Sequence, residues 1–258
     1  MAIAGNMLAA ERRQALVDAV RIRGRLEVTA AAAELSTSTE TIRKDLVVLE
    51  EQGMLRRVHG GAVQVQPLTF EPDVSSRTEN RDEKHRIAKR ALEEVPQGGA
   101  IFIDAGSTTQ VFAELLVGTP GLQVFTNGLN VAGALARKRF LNCYTLGGRV
   151  RPNSLGEVGA LANRLFADYR FDIAFVGTNA ASFDRGLCTP DPEEAAVKRL
   201  IISTSDRVVL LADHTKFGRE SLVKYANLDE LDLVITGIEL DPDHLATLTE
   251  AGVETVLA

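Results

Sequence analysis

The stretch from Thr37 to Gly53, TSTETIRKDLVVLEEQG, constrains the fold of this chain more than any other. Ile42, Leu46 and Leu49 recur at i, i+4 and i+7, which gives a helix with one apolar face. Thr37, Ser38 and Thr39 offer hydroxyls that can cap its start, and Glu40 follows Thr37 at the capping-box interval. Gly53 suits the stop. Alone, this would be a plain surface helix, so the flanks decide. Upstream, Glu11 to Arg23 is a second helical pattern, apolar at Leu16, Ala19, Val20 and Ile22, basic at Arg12, Arg13, Arg21 and Arg23, and ended by Gly24. Leu26 to Val28 reads as a short strand, and Thr29 can cap an alanine-rich helix over 30–35. Downstream, Leu55 to Val58 alternates like a strand, His59, Gly60 and Gly61 turn it, and Ala62 to Gln66 returns. Helix, strand, helix, turn, helix, hairpin is the order of a winged helix-turn-helix.

The run TIRKDL followed by LEEQGMLRRVHGGA resembles the N-terminal signature of the DeoR-type bacterial transcriptional repressors. Two departures, Thr37-Ser38 for the usual Val-Ser and Ala31-Ala32 for the usual Leu-Ala, fall at packing positions. In the docking geometry of this motif the recognition helix enters the major groove with its N-terminal residues at the base edges. Arg43 and Lys44 are the candidates for base or phosphate contact, since an arginine can address guanine through two hydrogen bonds. Ser38, Thr39 and Thr41 suit phosphates or capping, and Arg57 and His59 on the wing suit the backbone or the minor groove.

A net charge of −6 at first argues against nucleic acid. Divided, residues 1–65 carry nine Lys/Arg against eight Asp/Glu, whereas 66–258 carry 20 against 27, so the acidity belongs to the body. The cations Arg43, Lys44, Arg56 and Arg57 concentrate on the recognition helix and wing, and phosphate contacts there imply salt-dependent binding. No apolar run reaches membrane-spanning length and no apolar signal core opens the chain, which points to the cytoplasm. Cys143 and Cys188 have no metal-like spacing and are expected as free thiols; four unclustered histidines give no structural metal site.

Three segments follow: a head over 1–66, a linker over 67–80 with two prolines and no clear period, and a body over 81–258. Arg81 to Val95 is helical. Strands then alternate with helices: strands over 100–103, 122–125, 142–146, 173–176, 208–212 and 233–236, helices over 109–116, 129–137, 158–168, 193–203 and 242–251. This is an α/β architecture with a largely parallel sheet. Ligands of such sheets bind beyond the carboxyl ends of the strands. After the first strand comes Asp104, then Gly106, Ser107, Thr108 and Thr109 running into a helix, a step suited to an anion. Thr126 and Asn127 follow the second strand; Gly147, Gly148, Arg149 and Arg151 follow the third. Asp172 and Gly177 bracket the fourth, and Asp213 to Gly218, with Lys216, follows the fifth.

DAGSTT, TN, LGG, FD and FVG, GLCTPDPEEAAVK and ADHTKFG resemble the sensor domain of the same DeoR-type family, and Arg77, Asn80, Glu83-Lys84 and Ile87-Ala88 resemble the start of that domain. The resemblance implies kinship in fold with ribose-5-phosphate isomerase and the CoA transferases, and a site for a phosphorylated sugar or polyol. By position, Gly106 to Thr109 would hold phosphate. Asn127, Asp172, Glu194, Lys198 and Lys216 would surround hydroxyls or a second phosphate, with Asp104, Gly147, Gly148, Arg151 and Gly177 at the same strand ends. Glu194 and Lys198, at i and i+4, could equally be a surface ion pair. Ala180 and Cys188 replace the family's usual Gly and Thr near the pocket.

These readings give a repressor of a carbohydrate-utilisation operon, released by a phosphosugar. It would be a dimer or tetramer gripping operator half-sites about 34–36 Å apart or a multiple of that. No cofactor, metal or membrane partner is expected. A sugar-phosphate isomerase is opposed by Asp172-Ile173-Ala174-Phe175, one acid followed by apolar residues where the related isomerases carry an acidic run. A ligand-independent repressor with a purely oligomerising body is opposed by the polar strand ends.

Overall fold

In the computed structural model, residues 8–58, 60–65, 67–139 and 141–258 are described. The chain divides into two compact units, Met1–Pro67 and Leu68–Ala258.

The first unit runs α1 (Ala9–Arg23), β1 (Arg25–Glu27), α2 (Val28–Glu34), α3 (Thr39–Glu51), β2 (Arg56–Val58) and β3 (Gly61–Val63). The three strands form an antiparallel sheet in the order β1-β3-β2. The apolar face read on α3 is the buried one: Ile42, Leu46 and Leu49 pack with Leu16, Val17 and Val20 of α1 and with Ala31 of α2. Burying each such side chain stabilises by roughly 1.5–3 kcal/mol. Two local expectations change. The N-cap of α3 is Ser38, in extended conformation with its Oγ accepting from Thr41 N at 3.1 Å, and not a Thr37–Glu40 box. Thr29 lies inside α2, whose helix begins one residue earlier at Val28. Gly53 stops α3 with φ +67°, a left-handed geometry that glycine adopts without strain. His59 and Gln66 lie outside the described residues.

The second unit holds α4 (Arg81–Ala91), β4 (Gly99–Ile103), α5 (Ser107–Leu115), β5 (Leu122–Thr126), α6 (Leu129–Leu135) and β6 (Asn142–Thr145). A small hairpin of β7 (Arg149–Val150) and β8 (Glu157–Val158) leads to α7 (Ala160–Phe166), β9 (Ile173–Val176), β10 (Ala180–Ser182), β11 (Gly186–Thr189) and α8 (Pro192–Ser203). The chain ends with β12 (Val208–Leu211), β13 (Val223–Ala226), β14 (Leu233–Thr236), α9 (Pro242–Glu250) and β15 (Thr255–Leu257). Seven strands make one parallel sheet, ordered β15-β14-β12-β9-β4-β5-β6. Its central strands are buried on both faces, between an apolar cluster built on Phe102, Phe166 and Phe171 and another built on Ile101, Phe112 and Phe175.

The sequence does not announce the antiparallel sheet β10-β11-β13 or the edge strand β15. Ala180 and Cys188 pair across β10 and β11 and are buried there, as core of this small sheet. The linker segment also differs from expectation. The Leu68 carbonyl accepts from Leu222 N at 3.1 Å and Ser221 Oγ at 2.8 Å, Val74 N donates to the Asn153 carbonyl at 2.6 Å, and Val74 is buried. Residues 68–78 are therefore fastened to the second unit.

Candidate functional site

On α3 the structure sorts the residues read as DNA contacts. Arg43 and Lys44 are exposed, and Arg43 lies 3.7 Å from Glu40. Thr39 is half-buried at the first turn. Ser38 and Thr41 are engaged with each other, their hydroxyls 2.8 Å apart, so capping is their first duty. Arg57 on the wing strand is tied to Glu50, which receives its backbone N–H at 2.7 Å and its Nε at 2.9 Å. The residue missed was Asp45. It is 3 % exposed and accepts from Arg12 Nε at 2.6 Å and Arg13 Nε at 2.9 Å. Burial works against its charge, but the two guanidiniums outweigh it and hold the carboxyl below its ordinary range. The basic residues of α1 thus brace α3.

In the second unit the carboxyl ends of β4, β5, β9 and β12 and the turn after β6 carry the polar residues. Asp104 ends β4 fully buried; its Oδ2 accepts from Gly177 N at 3.0 Å and from Lys198 Nζ. Gly106 occupies the N-cap position of α5 and offers no capping side chain, which leaves the first N–H groups of the helix to another acceptor. Thr108 and Thr109 are buried, and Thr109 Oγ1 turns back to the Gly106 carbonyl at 3.1 Å, while Ser107 is half-exposed. Asn127 Oδ1 accepts from Ala105 N at 2.9 Å, which locks the end of β5 to that of β4. Asn130, at the start of α6, reaches Gln110 at 2.7 Å. Asp104 Oδ1, Asn127 Nδ2 and Asn130 Oδ1 are buried and have no hydrogen-bond partner in the protein. Unpaired buried polar atoms are costly, so three around one helix start mark a place built for something else.

The turn after β6 closes the same side. Leu146 N and Gly147 N donate to Glu157 Oε2 at 3.1 and 3.0 Å, and Glu157 N reaches the Asn127 carbonyl at 2.6 Å. A Cβ at Gly148 would stand 2.7 Å from the Val158 carbonyl oxygen, at φ +128°, so this approach admits only glycine. Arg151 is buried and central. It pairs with Glu194, lies 3.2 Å from Asp191, donates to Ser154 Oγ at 3.1 Å and to Glu71 Oε2 at 2.6 Å. Glu194 and Lys198 are therefore not a surface pair: both are buried, 3.7 Å apart, with Lys198 donating to the Gly177 carbonyl at 2.9 Å. Burial opposes the Lys198 charge, yet Asp104, Tyr225 and Glu194 outweigh it and raise its pKa. Burial pushes the Glu194 carboxyl up, against Lys198 and Arg151. The Tyr225 ring lies under Lys198, 5.4 Å from Nζ to centroid, and its hydroxyl donates to the Gly177 carbonyl at 3.0 Å.

Lys216 follows β12, with Nζ 3.8 Å from Asp213 Oδ2. Burial lowers its pKa, partly offset by Asp213, and burial likewise lowers that of Lys84, whose Nζ donates to the Arg77 carbonyl at 3.0 Å. Asp172 does not join this group. It precedes β9, and its Oδ2 accepts from Ala100 N at 2.7 Å at the start of β4, which is the opposite edge of the parallel sheet. At about 3.3 Å per residue, one strand length separates it from Gly177 and Asp104. Chain direction alone could have excluded it, since residues before and after a parallel strand face opposite edges. Glu71 and Arg77 were missed as site residues because a proline-bearing segment without period gave no reason to look there; Asn179, between β9 and β10, was missed because the reading of that strand end stopped at Gly177. Glu83, Asp213 and His214 have ligand atoms within 4.8 Å of one another, as a metal would need. Their atoms are already committed: Glu83 to His214 N and Nδ1, Asp213 to Asn80 and Thr215.

Two family models match the chain. The family model for the "DeoR-like helix-turn-helix domain" matches residues 12–67, and that for the "DeoR C terminal sensor domain" matches 79–237. The chain is 36% identical over 251 residues to the HTH-type transcriptional regulator GlpR of Haloferax volcanii, covering 97% of this chain and 98% of that one. It is 30% identical over 247 residues to the glycerol-3-phosphate regulon repressor of Escherichia coli K12, covering 96% and 98%. Among solved structures, ribose 5-phosphate isomerase A of Methanocaldococcus jannaschii aligns over 54% of this chain and 55% of that one, at 18% identity and a TM-score of 0.39. Among the described residues no helix is long and apolar enough to cross a membrane.

Proposed function

The chain belongs to the DeoR family of transcriptional regulators, and from that premise we propose that it is a cytoplasmic repressor whose hold on operator DNA is released by a phosphorylated sugar or polyol. One observation carries the effector half of this reading. The partnerless atoms of Asp104, Asn127 and Asn130 surround the uncapped start of α5. Donor N–H groups at a helix start suit a phosphate, and buried carboxylate and amide atoms suit hydroxyls. Gly106, Ser107, Thr108 and Thr109 would take the phosphate; Asp104, Asn127, Lys198 and Lys216 would face the polyol. For the DNA half, α3 would lie in the major groove with Arg43 and Lys44 at bases or phosphates. Two heads of a dimer or tetramer would grip the two half-sites.

Binding without turnover fits the same residues. Isomerisation needs a general base free to take a proton. Asp104 is held through Oδ2 by Lys198 and Gly177, which leaves Oδ1 to accept from a hydroxyl, and Glu194 is held by Arg151 and Lys198. Because binding is reciprocal, an effector that weakens DNA binding is itself weakened by DNA to the same factor.

The test is a thermal-shift screen of the purified protein against phosphosugars with their parent sugars alongside, repeated with operator DNA. A concentration-dependent rise with one phosphosugar, none with its parent, and release of DNA by the same compound are expected. No shift with any phosphorylated compound would leave the body as an oligomerising unit only.

A further inference from the structure

We propose that Glu71 is a built-in competitor of the effector: its carboxylate occupies an anion cradle formed by Arg77, Arg151 and Asn179, and an acidic group of the effector, a phosphate monoester or a carboxylate, takes its place. This rests on the effector reading above and names a second anion subsite within it.

The geometry is that of a bound ligand. Glu71 is 9 % exposed, though it stands in a segment whose composition suggests a solvated tether. One carboxylate oxygen accepts from Arg77 Nη2 at 2.7 Å and Asn179 Nδ2 at 3.3 Å; the other accepts from Arg151 Nη2 at 2.6 Å. Two guanidiniums and an amide converging on two oxygens would serve a phosphate equally well. Burial opposes the charge of Glu71, but Arg151 and Arg77 hold its carboxyl below the ordinary range, so at neutral pH it is an anion. The cradle continues into the strand-end site: Arg151 pairs with Glu194, Glu194 approaches Lys198, and Lys198 binds Asp104.

Charge balance says that something must leave. The cations Arg77, Arg151 and Lys198 already face the carboxyl groups of Glu71, Glu194, Asp191 and Asp104. A further anion would bring uncompensated negative charge into a desolvated place, which is strongly unfavourable. Asp104 is fixed at the end of β4. Asp191 caps α8 by accepting from Glu193 N and Glu194 N at 2.9 Å, and Glu194 lies in its first turn. Of the four, Glu71 alone neither lies in nor adjoins a helix or strand, so its displacement disrupts least. It is also four residues beyond Pro67, where the first unit ends. Exchanging Glu71 for effector would therefore loosen the chain that leads directly to the DNA-binding unit, which gives the ligand a route to the head.

The full-length protein and Glu71→Gln are titrated with inorganic phosphate by calorimetry, and with the phosphosugar panel. Glu71→Gln is expected to bind inorganic phosphate at least tenfold more tightly than the wild type, and Arg151→Met in that background is expected to remove the gain. A folded Glu71→Gln protein that binds phosphate no better overturns the inference; if the wild type still binds a phosphosugar, the effector reading survives it. If neither protein binds inorganic phosphate or any phosphosugar, both fall. Should Glu71→Gln misfold by circular dichroism, hydrogen exchange on the wild type decides. Saturating phosphosugar should speed exchange across 68–78 about tenfold, and unchanged protection overturns the displacement.

Discussion

Asp45 in the first unit and Glu71 in the second are both buried carboxylates held by two arginines, but their clamps differ in what carries them. Asp45 sits in the middle of α3, and its partners Arg12 and Arg13 sit on α1, two helices that also share the apolar contacts of Leu16, Ile42 and Leu46. Removing the ion pairs leaves the helices with nowhere else to go. Glu71 sits on a stretch with no α-helix or strand, only a single 3-10 turn at Val74–Ser76, held down by the Glu71 side chain, the buried Val74 and a few hydrogen bonds. The same chemistry makes a brace in one place and a displaceable contact in the other. A charge network is rigid only to the extent that its backbone is.

The largest effect tests the brace. Asp45→Ala should destabilise the first unit by about 2–3 kcal/mol, since it removes the buried acceptor of two charge-assisted hydrogen bonds; a head this small has little stability to spare. Scanning calorimetry should then show the head melting first, operator binding should be lost, and the thermal shift with phosphosugar should remain. If the head melts unchanged, Asp45 is not a brace.

Next comes Arg43→Ala. Losing one base or phosphate contact costs about 1–3 kcal/mol, so operator affinity by fluorescence anisotropy should fall roughly tenfold to hundredfold with the melting temperature unmoved. Equal affinity would move recognition off this face of α3.

Ser107→Ala asks whether the start of α5 holds the effector. One hydrogen bond to a charged group contributes about 1.5–3 kcal/mol. Phosphosugar affinity should drop at least tenfold while DNA stays bound and no longer responds. A normal response would mean that the phosphate is held elsewhere.

The smallest effect is in pH, and its sign is fixed. The folded-state pKa values of Asp45 and Glu71 are both depressed, so each contributes stability that is fully present above the unfolded carboxylate range and is lost as pH falls through the folded value. Acid should therefore loosen both clamps, and Asp45→Asn should flatten the acid limb of the head's melting temperature without altering that of the body. An unchanged slope would mean that other carboxylates set the acid limit.

The fold was largely legible. The i, i+4, i+7 pattern of Ile42, Leu46 and Leu49 gave α3 and its buried face, and the short apolar runs gave six of the parallel strands nearly to the residue. Glycines and hydroxyls at the strand ends marked Asp104 to Thr109, Asn127 and Lys216. What misled was reading both flanks of a strand as one site, as with Asp172; for Glu194 and Lys198 the i, i+4 spacing left a surface pair open as an alternative, which their burial rules out.

Periodicity, caps and turn residues are local, so the sequence by itself determined the elements, their order and which strand ends are polar. The partners of charged groups are not local. Asp45 finds Arg12 across 33 residues, Glu71 finds Arg151 across 80, and Lys198 finds Asp104 across 94. No spacing encodes such pairs, because they exist only where separate elements meet and exclude water. Tertiary structure alone decided that a stretch with the composition of a tether would lay its glutamate in the middle of them.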